Sequence, residues 1–247
     1  MPDDRSSSRQ GGQLYTDFNR YHELCAPFIN DGYITEFCRV VKKGKEATVL
    51  CCKAAATLGV DFLALKLYKD EEFRNFRNDA GYIKGKVWDK RLLKRLKVVK
   101  HEIWVETEYN ILVSLFDAGV RVPKPCVKIN QGILMEFIGI EEEPAPLLKN
   151  AHLEREEAFR VFDQIISSLK VMLSCGVVHG DLSAFNILYN GREAIIIDFP
   201  QSIFISTHDE PFTLFERDVE NICGHFVKYG CEIPEDFAVD LWSQYYR

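Results

Sequence analysis

Asp181 and Asn186 lie close together in Val177-Val178-His179-Gly180-Asp181-Leu182-Ser183-Ala184-Phe185-Asn186-Ile187-Leu188-Tyr189, and Asp198 ends the apolar run Ala194-Ile195-Ile196-Ile197 just downstream. Two carboxylates and an amide in this order suit phosphoryl transfer. Asp198 and Asn186 offer hard oxygen ligands for Mg2+, and Asp181 can orient or deprotonate an attacking hydroxyl. Singly, each has an ordinary explanation: an Asp in a loop commonly caps or turns the chain, and an Asn before a strand commonly bonds its own backbone. As a set they need an element that brings their ends together. Asn190-Gly191 separates the two apolar runs, and Asn-Gly predicts a type I′ hairpin with positive φ at both central residues. That hairpin would return Asp198 to the strand carrying Asn186, with Asp181 on the loop that feeds it.

His-x-Asp-x-x-x-x-Asn, followed by an apolar strand ending in Asp-Phe, is the catalytic core pattern of protein-kinase-like enzymes. Upstream, Ala64-Leu65-Lys66-Leu67 resembles the strand lysine that contacts ATP phosphates, and Lys66 alternates with its apolar neighbours as a strand requires. Its expected partner is a helix glutamate. Glu108 fits, although a long basic segment separates it from Lys66, and Glu102 and Glu106 are alternatives. The loop Lys43-Gly44-Lys45-Glu46-Ala47-Thr48-Val49 has one glycine where G-x-G-x-x-G has three, so its backbone should approach phosphates more loosely. Gly81 to Lys86 is not a Walker A motif, because its spacing is short by one residue. Ser183 stands where typical Ser/Thr kinases place a lysine near the base.

The elements that must hold these residues can be read from periodicity. Ala47–Cys52 and Phe62–Tyr68 flank a turn at Thr57–Gly59, and Cys126–Ile129 and Ile133–Ile138 flank Asn130-Gln131-Gly132; both pairs read as hairpins. Apolar spacing of three and four predicts helices over Ile103–Ala118 and Glu154–Ser174. Residues 1–13 are polar and read as a disordered tail. The chain thus divides into a β-rich N-lobe over 14–138, with a basic insertion at 84–100, and an α-rich C-lobe over 139–247. The fold class is α+β, a bilobal protein-kinase-like architecture.

Composition narrows the partners. The 247 residues carry a net charge of −6, 47% hydrophobic and 28% charged residues, the profile of an ordinary globular protein rather than a general polyanion binder. Any nucleic-acid contact would be indirect or run through the basic segment 84–100. The eight cysteines are scattered without a CxxC, and Cys223, His225 and Cys231 are too irregular for a zinc site, so reduced thiols are expected. No leader and no long apolar run is present, which predicts a cytoplasmic protein without membrane contact.

Several runs together resemble the RIO family of atypical serine kinases and ATPases: Gly44-Lys45-Glu46-Ala47, Leu65 to Lys69, Glu106 to Asn110, Met135 to Gly139, Pro144 to Asn150, His179 to Asn186 and Ile197 to Gln201. The likeness spans residues 35 to 225. Pro144 to Asn150 is similar to the type-one branch and Ile197 to Gln201 to the type-two branch. The chain leaves no room for the N-terminal winged-helix domain of the latter, so a compact type-one-like member is expected. The resemblance implies the RIO kinase fold, with ATP and Mg2+ as cofactors and Mn2+ as an alternative cation. It implies that Asp181 is the catalytic base and that Asn186 and Asp198 bind the metal. It further implies an aspartyl-phosphate role for Asp198. Lys45, Glu46, Ala47, Val49, Lys66, Glu108, Met135, Glu136 and Ile138 would line the nucleotide, with backbone groups of Glu136 and Ile138 at the adenine.

Partners implied are ATP and a protein substrate or ribosome-associated particle. The acidic charge and short termini depart from eukaryotic ribosome-assembly members and suggest a compact, bacterial type. The short stretch after Asp198 leaves little space for a long peptide groove. Two other readings compete. A small-molecule phosphotransferase of the aminoglycoside or choline kinase type shares the His-Gly-Asp-Leu core, but Ser183 and the short C-terminal part disfavour it. A non-catalytic RNA- or protein-binding module would use the basic segment, but the retained Lys66, Asp181, Asn186 and Asp198 disfavour loss of chemistry.

Overall fold

Alternating side chains along Phe62–Tyr68 make that segment a strand with two different faces, and the fold is built on both. The computed structural model describes residues 7–69 and 90–246, with side chains for 19–69 and 103–246. Strands β1 (Ile34–Lys43), β2 (Ala47–Ala54), β3 (Phe62–Tyr68), β4 (Pro125–Ile129) and β5 (Gly132–Glu136) form an antiparallel five-stranded sheet in the order β1-β2-β3-β5-β4. Both hairpins read from the sequence are present in it.

One face is closed by helix α1 (Ser7–Asn30). Cys25 and Phe28 pack there with Leu50, Cys52, Leu65, Leu67 and Leu134. Phe28 comes so close that a Cβ on Gly132 would lie 2.7 Å from its ring, which is why β5 begins with glycine. This helix corrects the expected tail, because residues 7–13 are helical. Its anchor is Tyr21, Cys25 and Phe28, spaced one turn apart, and a helix nucleated on a packed face extends into polar sequence at one hydrogen bond per residue.

Helix α2 (Lys90–Asp117) packs beside β4 and β5. It starts well before the expected Ile103, because the basic run is rich in Lys, Arg and Leu, all good helix formers, and contains no Gly or Pro after Val87. Residues 84–89 of the basic segment lie outside the described residues.

The expected lobe boundary is itself a small hairpin, β6 (Gly139–Ile140) with β7 (Glu143–Pro144), and Glu143 forms an ion pair with Arg39 of β1. Beyond it come α3 (Arg155–Ser174), β8 (Val177–Val178), β9 (Ile187–Tyr189), β10 (Ala194–Ile196), β11 (Ile203–Phe204), α4 (Pro211–Val227) and α5 (Phe237–Ser243). Ile165, Leu169 and Met172 of α3 and Phe215, Val219 and Ile222 of α4 form a core that continues through Val105, Leu112 and Leu115 of α2 to Ile133 of the sheet.

Strands β9 and β10 pair from Tyr189↔Ala194 to Ile187↔Ile196. The turn differs from the expected type I′: only Gly191 has positive φ (88°), and the connection runs over 190–193. The Asn190 side chain accepts from the N–H groups of Arg192 and Glu193, an alternative closure that asparagine permits. All eight cysteines are free. No helix among the described residues is long and apolar enough to cross a membrane.

Candidate active site

The second face of the sheet carries charge. Because Leu65 and Leu67 go to α1, the pleat turns Lys66 the other way, opposite Val49 on β2 and Ile133 on β5. Its Nζ donates 2.7 Å bonds to Glu108 Oε1 and to Asp198 Oδ1. Burial works to discharge Lys66, but the two carboxylates outweigh it and hold its pKa above the usual lysine value. Glu108 is the deeper carboxyl, its side chain 5% exposed against 38% for Asp198. Burial lifts the Glu108 pKa. Burial also pushes on Asp198, but the Lys66 charge and hydrogen bond hold it below the ordinary aspartate value.

Glu108 therefore meets Lys66 although the two stand 42 residues apart. The alternative Glu106 pairs instead with Lys128 at 2.6 Å, and the Glu102 side chain lies outside those described.

Asp181 and Asn186 form the second half of the site. The Asn186 amide donates to the Asp181 carbonyl at 2.7 Å and to Asp181 Oδ2 at 3.3 Å, which turns its own Oδ1 away from the loop. Ile197 N–H donates to the Asn186 carbonyl at 2.9 Å, so the hairpin sets Asn186 beside the residue before Asp198. Asp198 itself has φ 73°. A non-glycine residue held there costs of order 1–3 kcal/mol and needs surroundings that fix it.

Several neighbours supply that restraint. His179 is buried against Phe199, with ring centroids 4.9 Å apart. Its Nε2–H donates to the Ile197 carbonyl (3.2 Å) and its Nδ1 accepts from the Asp181 N–H (3.3 Å), an arrangement that needs the neutral ring. Burial lowers its pKa to about 4. Gly180 has φ 80°, and a Cβ there would come within 2.5 Å of the Gln201 carbonyl, so no other residue fits.

Three residues of α4 that the sequence reading missed hold the loop around Asp181. Asp218 accepts from the N–H groups of Gly180 and Leu182, each at 2.7 Å. Arg217 donates to the Gly180 carbonyl, and Asn221 to that of Leu182. Burial raises the Asp218 pKa to about 6 against the pull of those N–H groups. A signal existed: Asp218 sits within the apolar stripe Phe215, Val219, Ile222 and Phe226, where a charge is out of place unless bonded.

The loop between β1 and β2 is a tight turn, Gly44 N–H donating to the Ala47 carbonyl at 2.9 Å. Lys69 braces it, its Nζ on the Gly44 carbonyl and its N–H on the Glu46 carbonyl. Lys45 is exposed at the apex, Glu46 is half-buried, and Ala47 and Val49 enter the sheet. Met135 pairs with Ala64 across the β3–β5 ladder. Glu136 gives its N–H to the Lys124 carbonyl, and Ile138 takes the Ala145 N–H on its carbonyl. The site therefore gathers Lys66, Glu108 and Asp198 in direct contact and joins Asp181 to Asn186, while Lys45 and Glu46 lie at the turn beyond Val49.

Asn186 Oδ1 and the Asp198 carboxylate are hard oxygen donors suited to a divalent cation. No three His, Cys, Asp or Glu side chains converge on a metal among the described residues. A cation here would thus draw further ligands from outside the protein, as Mg2+ does with water and phosphate oxygens.

Comparison with known proteins follows the same lines. Residues 49–238 match the family model of the RIO domain. The chain is 33% identical over 215 residues to serine/threonine-protein kinase RIO1 of Homo sapiens, covering 82% of this chain and 35% of that protein. It is 32% identical over 184 residues to the RIO-type serine/threonine-protein kinase Rio1 of Thermoplasma acidophilum, covering 73% of this chain and 93% of that one. The chain thus spans about a third of the length of the human relative and nearly all of the archaeal one. Among solved structures, the Rio2 kinase–ADP/Mg2+–phosphoaspartate complex from Chaetomium thermophilum superposes with a TM-score of 0.65, covering 93% of this chain and 66% of that one. At 18% identity, that likeness speaks for the fold alone.

Proposed function

Since the chain belongs to the RIO family of serine/threonine-protein kinases, we propose that it binds ATP with Mg2+ in the cleft under the second sheet face and transfers the γ-phosphoryl to a protein serine. The observation that carries this reading is the Lys66 ammonium, shared at 2.7 Å between Glu108 and Asp198, with Asp198 following the Ile197 that bonds the Asn186 of the Asp181–Asn186 pair. Glu108 aims Lys66, whose charge would meet the α- and β-phosphates. With its amide NH2 on Asp181, Asn186 presents Oδ1 to the cation, and Asp198 presents its carboxylate. Mg2+, or Mn2+ in its place, would neutralise charge on the phosphates. The Glu136 carbonyl and the Ile138 N–H, at the end of β5 where the chain leaves the sheet, fit the adenine edge, with Val49, Ala64 and Met135 around the ring.

Asp181 accepts the serine proton as the serine oxygen bonds to the γ-phosphorus and the bond from that phosphorus to the β-bridging oxygen breaks, releasing ADP. A carboxylate can replace the hydroxyl as acceptor. In that branch an Asp198 oxygen would attack the γ-phosphorus as its bond to the β–γ bridging oxygen breaks and ADP leaves, no proton needing removal, and water would then hydrolyse the acyl phosphate to the carboxylate and inorganic phosphate. The partner class is a protein substrate, either free or within a ribosome-associated particle.

The test is incubation with γ-labelled ATP and Mg2+, counting protein-bound label and free phosphate separately. Acid-stable label on serine is the expected result. Hydroxylamine-labile label assigns the aspartyl route, and label on neither protein nor phosphate defeats both.

A further inference from the structure

Trp104 takes no part in phosphoryl transfer, yet it lies on the Glu108 helix and its indole touches the segments that carry Lys66 and Asp198. Its Nε1–H donates to the Pro200 carbonyl at 3.0 Å. Its ring meets Tyr68 edge-on, centroids 4.9 Å apart at 74°. The Tyr68 ring in turn lies 5.2 Å from Lys66 Nζ. The placement has a pattern. Tyr68 follows Lys66 on the same face of β3, Trp104 precedes Glu108 by one turn on the same side of α2, and Pro200 follows Asp198. The Tyr68–Trp104–Pro200 contacts thus form a second layer beside the Lys66–Glu108–Asp198 cluster, made of the same three segments.

Asp198 needs such a layer. Its φ of 73° is a conformation that a non-glycine residue leaves unless held. On one side the chain is held by His179, against Phe199 and on the Ile197 carbonyl. On the other side Ser202 Oγ donates to the His179 carbonyl. Between these points Trp104 donates to the Pro200 carbonyl, which adds a second tie to α2 beside the Phe199 backbone bond to Glu108.

We propose that Trp104 is a positioning residue for the metal-binding carboxylate: by fixing the Pro200 carbonyl to α2, it keeps Asp198 turned toward the cation. The inference rests on the reading of the cleft as a nucleotide site. Loss of the bond lets the 198–200 segment relax and draws Asp198 from the metal position, while the sheet groups that hold the base and ribose are untouched.

Trp104→Phe keeps a ring against Tyr68 and removes the donor. ADP affinity of the full chain is measured by calorimetry without metal and across a Mg2+ titration. Metal-free affinity should match the wild type, while the Mg2+ concentration giving half of the affinity gain should rise about three- to tenfold, the worth of one hydrogen bond. Turnover at saturating Mg2+ should return to the wild-type value. Superimposable Mg2+ titrations overturn the proposal, as does an equal loss of affinity with and without metal, which would mean general packing. Should the phenylalanine variant not fold, the benzothiophene analogue of tryptophan at position 104, equal in size but lacking the N–H, carries the same test. Wild-type protein that binds no ADP at any Mg2+ concentration would instead sink the nucleotide reading and this inference with it.

Discussion

Strand β3 sends Leu65 and Leu67 toward α1 and Lys66 toward Glu108 and Asp198, and the two faces differ in that only the second carries charge. Under α1, Cys25 and Phe28 pack in a hydrophobic cluster that runs to Leu134, and its strength grows with the surface removed from water. On the other side a buried lysine bonds a buried glutamate and a part-exposed aspartate. Such groups give little net stability, because desolvation offsets much of their attraction, but removing one member leaves a charge without its partner. Apolar packing therefore holds the sheet, under α1 and again through Ile133 and Tyr68 on the second face, and the charged group on that second face is kept for what it can do. Changes on the first should alter stability alone, and changes on the second chemistry first.

Asp181→Asn tests the chemical side most severely. Phosphotransfer should fall by about 10²–10⁴, the usual share of a general base, with ATP affinity changed only a few-fold and the unfolding midpoint unmoved. Wild-type turnover would remove Asp181 from the role of base. On the opposite face, Phe28→Ala should cost about 3–5 kcal/mol in urea unfolding, as a large buried cavity does, while nucleotide affinity of the folded protein stays constant. A variant of normal stability but weakened affinity would break the separation between the faces.

Lys66→Met crosses the two. It should abolish turnover and cost roughly 1–3 kcal/mol at neutral pH, because Glu108 is left buried without its cation. Burial already raises the Glu108 pKa, so the folded variant holds that proton more readily than the unfolded chain. Its deficit should accordingly shrink as pH falls through the raised value, and Lys66→Met with Glu108→Gln should regain stability without activity. Urea midpoints across pH check both points.

The smallest effect is a pair of opposed titrations around the loop that carries Asp181. His179 is lowered from 6.5 to about 4, so the unfolded chain binds its proton first and stability drains as pH falls through that window. Asp218 is raised from 3.8 to about 6, so the folded state binds first and its contribution grows as pH falls from 6. Between 6 and 4 the two partly cancel. Asp218→Asn should steepen the acid loss of stability, and His179→Asn should flatten it; identical slopes would contradict the burial of both groups.

The charged face is the more legible of the two in sequence. Lys66 between leucines, the Asp181–Asn186 spacing and the apolar run into Asp198 are local patterns, and a strand's period of two assigns their sides directly. The Lys66–Glu108 contact survives a long intervening segment because it depends on where a helix face lies, not on loop length. Asp218 shows in sequence only as a charge within an apolar stripe, since its partners are backbone N–H groups far away in the chain. Helix α1 escapes because a polar first half dilutes the stripe of Tyr21, Cys25 and Phe28, and only contact with the sheet makes the element stable. Asn190-Gly191 points rightly to a hairpin but wrongly to its turn, since the Asn190 side chain offers a second way to close it.

The most direct measurement is calorimetric titration of ADP into the wild type and Asp198→Ala, with and without Mg2+. Wild-type affinity should tighten with Mg2+, and the variant should bind at the metal-free level whatever the Mg2+ concentration, because a hard cation has lost its carboxylate. An Asp198→Ala protein that keeps the full Mg2+-dependent gain would contradict the assignment of the cleft face as a Mg·ATP site.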